Sequence, residues 1–305
     1  MELTVPQLAL AKPVRVDVIV IGAGFWGTAI TLGLRQRRRE VLCLDGDEPS
    51  AASRAAGGLA YPDDPVQQLG ARLPGWWRER HSQACLAFCE QGASEGWMER
   101  SGELFCTRRN PEPRFREGLW LADCPRLLSI AAARPFRVER IQRHSRGWRV
   151  GEWEASTVVL ATGCFTDALL EASGLPATGV ARLAGQALFV AKSGSQIPLT
   201  FGYRLAGDTR TRKATERRWT PGVVRIGDTL DGPTHQGQLQ ALRDLAGGPE
   251  VGQTFGLRPV LPQLLVDAVE PGLIVATGGH RTGLTTAGGI ALRVSELVLS
   301  GHSPR

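Results

Sequence analysis

Hydrophobic positions along this chain keep two rhythms. Residues 16–21, VDVIVI, are a β-branched apolar run, the pattern of a strand in a buried parallel sheet. The turn GAGFWG (22–27) follows, residues 26–38 carry helical spacing, and VLCLD (41–45) returns to strand. Strand, helix and strand within about 30 residues make a βαβ unit. Residues 66–100 read mainly as helix, anchored by Trp76, Trp77, Leu86, Phe88 and Trp97. GELFCTRR (102–109) reads as a strand, NPEPRF (110–115) as a loop and CPRLLSIAAA (124–133) as a helix. Residues 136–151 alternate about a turn at Ser145–Gly147, as antiparallel strands do. RLAGQALFVA (182–191) and GVVRIGDT (222–229) are sheet strands, and GQLQALRDLAGG (237–248) is an amphipathic helix with a glycine stop. STVVLATG (156–163) and LIVATGG (273–279) are buried strands ending in glycine turns, and a long apolar helix closes the pattern over 286–301. The order of elements predicts one nucleotide-binding layer whose pieces are separated by an inserted β-rich region.

Composition narrows the class. With 305 residues, 42% hydrophobic and 22% charged, the chain suits one large globular domain or two smaller ones. The net charge of +6 comes almost wholly from arginine, since only Lys12, Lys192 and Lys213 are lysines. RQRRRE (35–40) falls where cations complement a helix C-terminus, and TRTRKATERR (209–218) reads as a solvated connection or hairpin. No zinc finger or aromatic-interleaved basic helix accompanies them, so nucleic acid is not the expected partner. Cys85 and Cys89 stand one helical turn apart with no second pair to complete a metal site; the six cysteines read as reduced thiols of a cytoplasmic protein. Residues 18–34 carry no charge and approach the length of a membrane span. Their three spaced glycines and the preceding Asp17 favour strand, turn and helix, and no membrane segment is expected.

Gly22-x-Gly24-x-x-Gly27 directly follows a strand and opens a helix. Gly22 permits the tight turn, Gly24 lets backbone approach a pyrophosphate, and Gly27 brings helix and strand together. Free N–H groups at the helix N-terminus, Ala23 among the turn residues, then face the phosphates. Asp45 ends the second strand eighteen residues after Gly27, where a carboxylate accepts ribose hydroxyls. DGDEPSAASRAAGGLAYP (45–62), with Ser53, Arg54, Ala55 and Ala56 at its centre, is small enough to lie flat against a flavin. The turn at Thr162–Gly163 and the segment Gly279–Thr285 complete three dispersed glycine segments. An extended FAD needs such dispersal, whereas NAD sites are usually made locally.

Together VIVIGAGFWG, the SxAAGG stretch, VVLATG, GLRPVLPQ (256–263) and GHRTGLTTAGG (279–289) resemble the FAD-dependent D-amino-acid oxidase and glycine oxidase family. The motifs are collinear and cover roughly half the chain. The resemblance implies an α/β fold: a Rossmann-like FAD-binding domain of the glutathione-reductase type with an inserted mixed β-sheet substrate domain. The FAD-binding pieces would be 14–75, 136–175 and 255–301, and the substrate pieces 76–135 and 176–254. It implies FAD held by the residues above together with Val138, His280, Arg281, Thr282, Gly283, Leu284 and Thr285, and the lack of cysteine in 45–62 and 256–285 makes noncovalent binding the expectation. It also implies oxidation of an amino acid or secondary amine by hydride transfer to flavin N5, imine hydrolysis, and reoxidation by O2 or another acceptor.

Arg258 matches the family's carboxylate anchor, with local pairing to a carboxylate such as Asp267 as the alternative. Guanidinium suits the task because it meets a carboxylate with two parallel hydrogen bonds. Arg281 is a second candidate, for substrate or for the flavin border, and His280 a gate or donor. Two departures qualify the resemblance. Where the family presents a substrate-contacting tyrosine, this chain has Arg218 or Trp219; its two tyrosines are Tyr61 and Tyr203. The segment between residues 100 and 136 is also short, so the expected pocket is more open, smaller-walled, or completed by a second copy or protein partner. An amine on a larger molecule, or a flavin-binding subunit with little activity of its own, are the competing functions.

Overall fold

The structure, a computed structural model, describes residues 13–105, 114–191, 200–203, 212–217, 220–229 and 249–301. Trp219, Arg218 and the helix expected at 237–248 lie outside the described residues. One end of the sheet is parallel, in the order Leu273–Gly279, Trp153–Leu160, Val14–Ile21, Val41–Asp45 and Arg134–Pro135. The reason the VDVIVI run lacks polar alternation is visible in its packing. Val18 and Val20 join a core under the helices Phe25–Gln36, Glu79–Ser94 and Ala287–Ser300. Ile19 and Ile21 join a second core on the opposite face, with Leu160, Val275, Trp148, Trp153 and Leu170. Val18, Ile19 and Val20 are each at most 1% exposed, and burying each such side chain stabilises by about 1.5–3 kcal/mol.

Close approach of the covering helices rests on small residues. A Cβ added at Gly289 would lie 2.6 Å from the Trp77 ring and 2.8 Å from the His81 carbonyl oxygen. The adjacent glycines of TAGGIAL therefore let Glu79–Ser94 press against Ala287–Ser300. Cys85 and Cys89 point into this contact; burial pushes the Cys85 thiol up to about 12, where it behaves as an apolar filler.

Beyond Leu273–Gly279 the sheet turns antiparallel. The long strand Glu250–Glu270 pairs with Ala181–Ala191, then follow Thr220–Thr229, Arg212–Arg217 and Thr200–Tyr203. Arg212–Arg217 and Thr220–Thr229 make the hairpin side of the basic stretch. Met98–Phe105, Arg114–Ala122 and Leu59–Ala60 finish the sheet, which has 15 strands among the described residues.

Several sequence-based boundaries move. Residues 66–100 are mainly helical as read, through Pro65–Leu69 and Glu79–Ser94, but Met98 already starts a strand. Trp97, expected as a helix anchor, reaches back over Gly92 and packs, tilted, with its ring centroid 5.1 Å from that of Phe88. The ring supplies the side chain that Gly92 lacks. The loop expected at 110–115 gives way to strand at Arg114, because this segment pairs in register with Met98–Phe105 across a bulge at Ser101/Glu103. The first helix ends at Gln36, two residues early, with Arg38 at φ 59. The hairpin about Ser145–Gly147 is present as Gln142–His144 and Gly147–Val150, while 136–141 carry no regular secondary structure and do not pair in that hairpin.

Candidate active site

A cavity of about 940 Å³ opens at the C-terminal ends of the parallel strands. Its walls come from all three glycine segments and from the first turns after Asp45. That size is near the upper end for a single bound organic molecule, as an extended dinucleotide requires.

The fingerprint turn is built for close approach. Gly22 has φ +97, and a Cβ there would stand 2.6 Å from the Ala161 carbonyl oxygen. A Cβ at Gly27 would overlap the Gly22 carbonyl, so the helix can start directly on the strand. Gly24 caps the helix without a side chain, and no acid stands in the first turn. The positive helix end thus faces the cavity with no carboxylate in its own first turn. Ser53 fills part of that space: its hydroxyl accepts from the Phe25 N–H at 3.1 Å.

Asp45 lines the cavity at the other side of the turn. Its carboxylate accepts from the Ala23 N–H at 3.4 Å and pairs with Arg54 at 3.2 Å, while Arg54 also contacts Asp47. Next to it Phe136, Arg137, Val138 and Glu139 run along the wall, fastened by the Phe136 N–H donating to the Asp45 carbonyl at 2.9 Å. Thr162 and Gly163 turn at the end of Trp153–Leu160, and Gly163 has φ +57. The Gly163 carbonyl accepts from the hydroxyls of Thr166 at 2.7 Å and Thr277 at 2.8 Å, which fixes the turn to the neighbouring strand.

Of the residues expected at the cofactor, Gly22, Gly24, Asp45, Ser53, Ala55, Ala56, Val138, Thr162, Gly163, Gly279, His280, Arg281, Gly283, Leu284 and Thr285 all line this one cavity. Ala23, Gly27, Arg54 and Thr282 stand behind it. Ala23 is in the core, Gly27 is under Gly22, Arg54 is engaged by two aspartates, and the Thr282 hydroxyl is turned onto the Gly279 carbonyl at 2.8 Å.

The third segment is clamped in part by Trp26 and Arg72, which the sequence did not single out. The Trp26 indole N–H donates to the Gly283 carbonyl at 2.8 Å and lies 3.2 Å from the Thr286 hydroxyl. Its ring presses on Gly279, where a Cβ would approach within 2.9 Å. Arg72 donates to the Gly278 carbonyl at 3.1 Å and to the Thr282 hydroxyl at 3.3 Å; burial lowers its guanidinium from the ordinary value. Tyr61, 8% exposed, lines the cavity and donates its backbone N–H to the Thr285 hydroxyl at 3.1 Å. His280 adopts φ +47 and donates its N–H to the Pro259 carbonyl at 2.9 Å, drawing the loop against the GLRPVLPQ strand. Of the two tyrosines, only Tyr61 has a side chain within the described set, since that of Tyr203 lies outside it.

Arg258 is half-buried and lines the same cavity. In the register Leu183↔Arg258 and Gly185↔Gly256, its guanidinium lies across Gly185 of the neighbouring strand. Asp267, the alternative partner named from sequence, lies 3.8 Å from Arg293. Arg281 lines the cavity from the exposed rim. Cys164 lines it too; burial pushes the thiol up to about 11, and Sγ donates toward the Leu257 carbonyl at 3.5 Å. No described helix is long and apolar enough to cross a membrane, so the uncharged 18–34 stretch is strand, turn and helix.

A family model described as FAD dependent oxidoreductase matches residues 17–297. No curated protein matches the chain. Among solved structures, iminodiacetate oxidase from Chelativorans sp. BNC1 is similar at 17% identity and TM-score 0.71, with 94% of this chain and 96% of that one covered. Glycine oxidase from Geobacillus kaustophilus is similar at 19% identity and TM-score 0.68, covering 95% and 96%. L-proline dehydrogenase from P. horikoshii is similar at 13% identity and TM-score 0.74, covering 95% of each chain. Likeness at such identities speaks for the fold, a Rossmann-like layer joined to a mixed sheet. With the family match running over nearly the whole chain and a dinucleotide-sized cavity framed by all three glycine segments, this chain belongs to the DAO family of FAD-dependent oxidoreductases.

Proposed function

We propose that the protein oxidises the C–N bond of an amino acid or secondary amine whose carboxylate is bound by Arg258. The observation that carries this reading is the shared cavity: the half-buried Arg258 guanidinium opens into the same space as the cofactor segments. The FAD pyrophosphate is assigned to the turn Gly22–Gly24 and the open end of helix Phe25–Gln36. Asp45 is assigned to the ribose hydroxyls, Val138 to the nucleotide end, and the segments Ala55–Ala56 and Gly279–Thr285 to the flavin end. Held noncovalently by these residues, FAD would supply the hydride acceptor for the reaction, with O2 or another acceptor as the final oxidant.

The chain itself positions and excludes water. Arg258 orients the substrate through its carboxylate and so presents the Cα–H, a contribution of geometry rather than proton transfer. A buried, charge-assisted pair of this kind typically costs about 2–5 kcal/mol when one partner is removed. Arg281, at the rim, is assigned to substrate entry or the flavin border. Tyr61 is the described tyrosine in the position to share the pocket. The product imine is hydrolysed by water. The division into an FAD-binding part (14–75, 136–175, 255–301) and a substrate part (76–135, 176–254) accompanies this reading. The similar solved structures named for oxidation of iminodiacetate, glycine and proline support a donor of this class. The test is binding: a simple carboxylate should bind the flavin-loaded protein, and Arg258→Ala should weaken it by about 30-fold or more. Equal affinity in both proteins would overturn the reading.

A further inference from the structure

The strand Ala181–Ala191 carries a glycine at 185 where a sheet strand would ordinarily place a packing side chain. Its backbone does not need glycine for a left-handed conformation, for it is absent from the positive-φ glycines. The reason lies across the sheet. Residues two apart along a strand share a face, so Gly185 sits on the face of Leu183, the direct partner of Arg258. Arg258 reaches diagonally over this position, a distance that long side chains span. A Cβ at 185 would meet Arg258 Nη2 at 2.6 Å, Cζ at 2.7 Å and Nη1 at 2.9 Å. All three separations are shorter than carbon and nitrogen tolerate. Opposite Gly185, Gly256 plays a different part: its missing Cβ makes room for Ala55 at 2.8 Å and Ala52 Cα at 3.2 Å. The two paired glycines leave a flat floor, one half covered by the segment Ala52–Ala55 and the other by the guanidinium.

We propose that Gly185 is a positioning residue: its bare backbone sets the height and tilt of the Arg258 guanidinium, and thereby the substrate's carboxylate. The proposal rests on the reading of Arg258 as carboxylate anchor. Because the clashing atoms are the tip of a flexible side chain, a methyl at 185 displaces the guanidinium and leaves the strand pairing in place. The fold and flavin content are therefore preserved while carboxylate affinity falls. Gly252, on the paired strand, gives a control, since a Cβ there meets only Phe189 at an ordinary 3.9 Å.

The experiment is calorimetric titration of acetate, then benzoate, into the flavin-loaded wild type, Gly185→Ala, Gly185→Val, Gly252→Ala, Arg258→Ala and the Gly185→Ala/Arg258→Ala double variant. Flavin content and thermal midpoint are measured on each. The expected result is about tenfold weaker binding in Gly185→Ala, about 1.4 kcal/mol, as two parallel hydrogen bonds lose alignment. Gly185→Val weakens it further, and Gly252→Ala matches wild type. In the Arg258→Ala background the methyl at 185 adds less than about twofold, since its only route to the ligand is gone. Two failures are distinguishable. If Arg258→Ala weakens binding but Gly185→Ala does not, or if the two effects add in full, the positioning role is wrong. If wild type and Arg258→Ala bind both carboxylates alike, or neither binds at all, the anchor reading falls and the positioning role with it.

Discussion

Replacing Trp26 with phenylalanine probes how the two ends of the cofactor cavity are held together. The indole joins the fingerprint helix to the Gly279–Thr286 segment, 257 residues away in sequence, through its bond to the Gly283 carbonyl. Phenylalanine removes the N–H and also withdraws the outer ring atoms Cζ2 and Cη2 that press on Gly279. The half-buried Gly283 carbonyl then keeps only the Thr286 hydroxyl at 3.5 Å, a loss of about 1–2 kcal/mol. The Thr286 hydroxyl is less affected, because it also donates to the Thr282 carbonyl at 2.8 Å. Since the loosened segment lines the cavity, part of this cost appears in FAD affinity, at tenfold for each 1.4 kcal/mol. The assay is paired: urea unfolding of the FAD-free protein, and FAD titration followed by flavin fluorescence. The expected outcome is a lower unfolding midpoint together with FAD binding weakened by about three- to thirtyfold. A Trp26→Phe protein with wild-type midpoint and wild-type FAD affinity would refute the clamp.

Two further outcomes follow from buried groups. Burial holds His81 below its ordinary value of 6.5, only partly opposed by Glu296 at 3.5 Å. The unfolded chain therefore takes up a proton near pH 6.5 that the folded one refuses, so stability is lost as pH falls below that value. His81→Asn should lose less stability than wild type between pH 7.5 and 5.5 in urea titrations; an equal or steeper fall contradicts the assignment. Cys164 is pushed up to about 11 by burial, so its thiol is protonated and a weak nucleophile at neutral pH. Heat-denatured protein should release all its flavin to the supernatant, and a yellow pellet would refute noncovalent binding.

How much of this was readable from the chain differs by element. The Gly22–Gly27 turn was legible because each glycine answers a steric demand at a fixed offset, whatever the distant sequence. The strands at 16–21, 156–163 and 273–279 were legible because both faces are buried, which erases polar alternation. Trp26 was not, for its partners become neighbours only when the first and last segments fold together. Trp97 misled for a related reason. Its ring does pack on Phe88, but from the bend just before Met98–Phe105, folded back over Gly92 rather than carried on the helix. Met98–Phe105 and Arg114–Ala122 were obscured by the bulge that breaks their alternation. Gly185 did leave a signal: a glycine inside a strand pattern marks close approach by another group. Only the register shows that the group is Arg258.

The central claim is that Arg258 places a carboxylate-bearing amine against the bound flavin. Its most direct test is anaerobic addition of glycine, sarcosine, proline or iminodiacetate to the yellow protein, followed by the oxidised-flavin absorbance. The account predicts bleaching by at least one of these amines, and in Arg258→Ala bleaching that requires at least about 30-fold more of it. A fully flavin-loaded protein that none of them reduces, or one reduced equally well without Arg258, would contradict it.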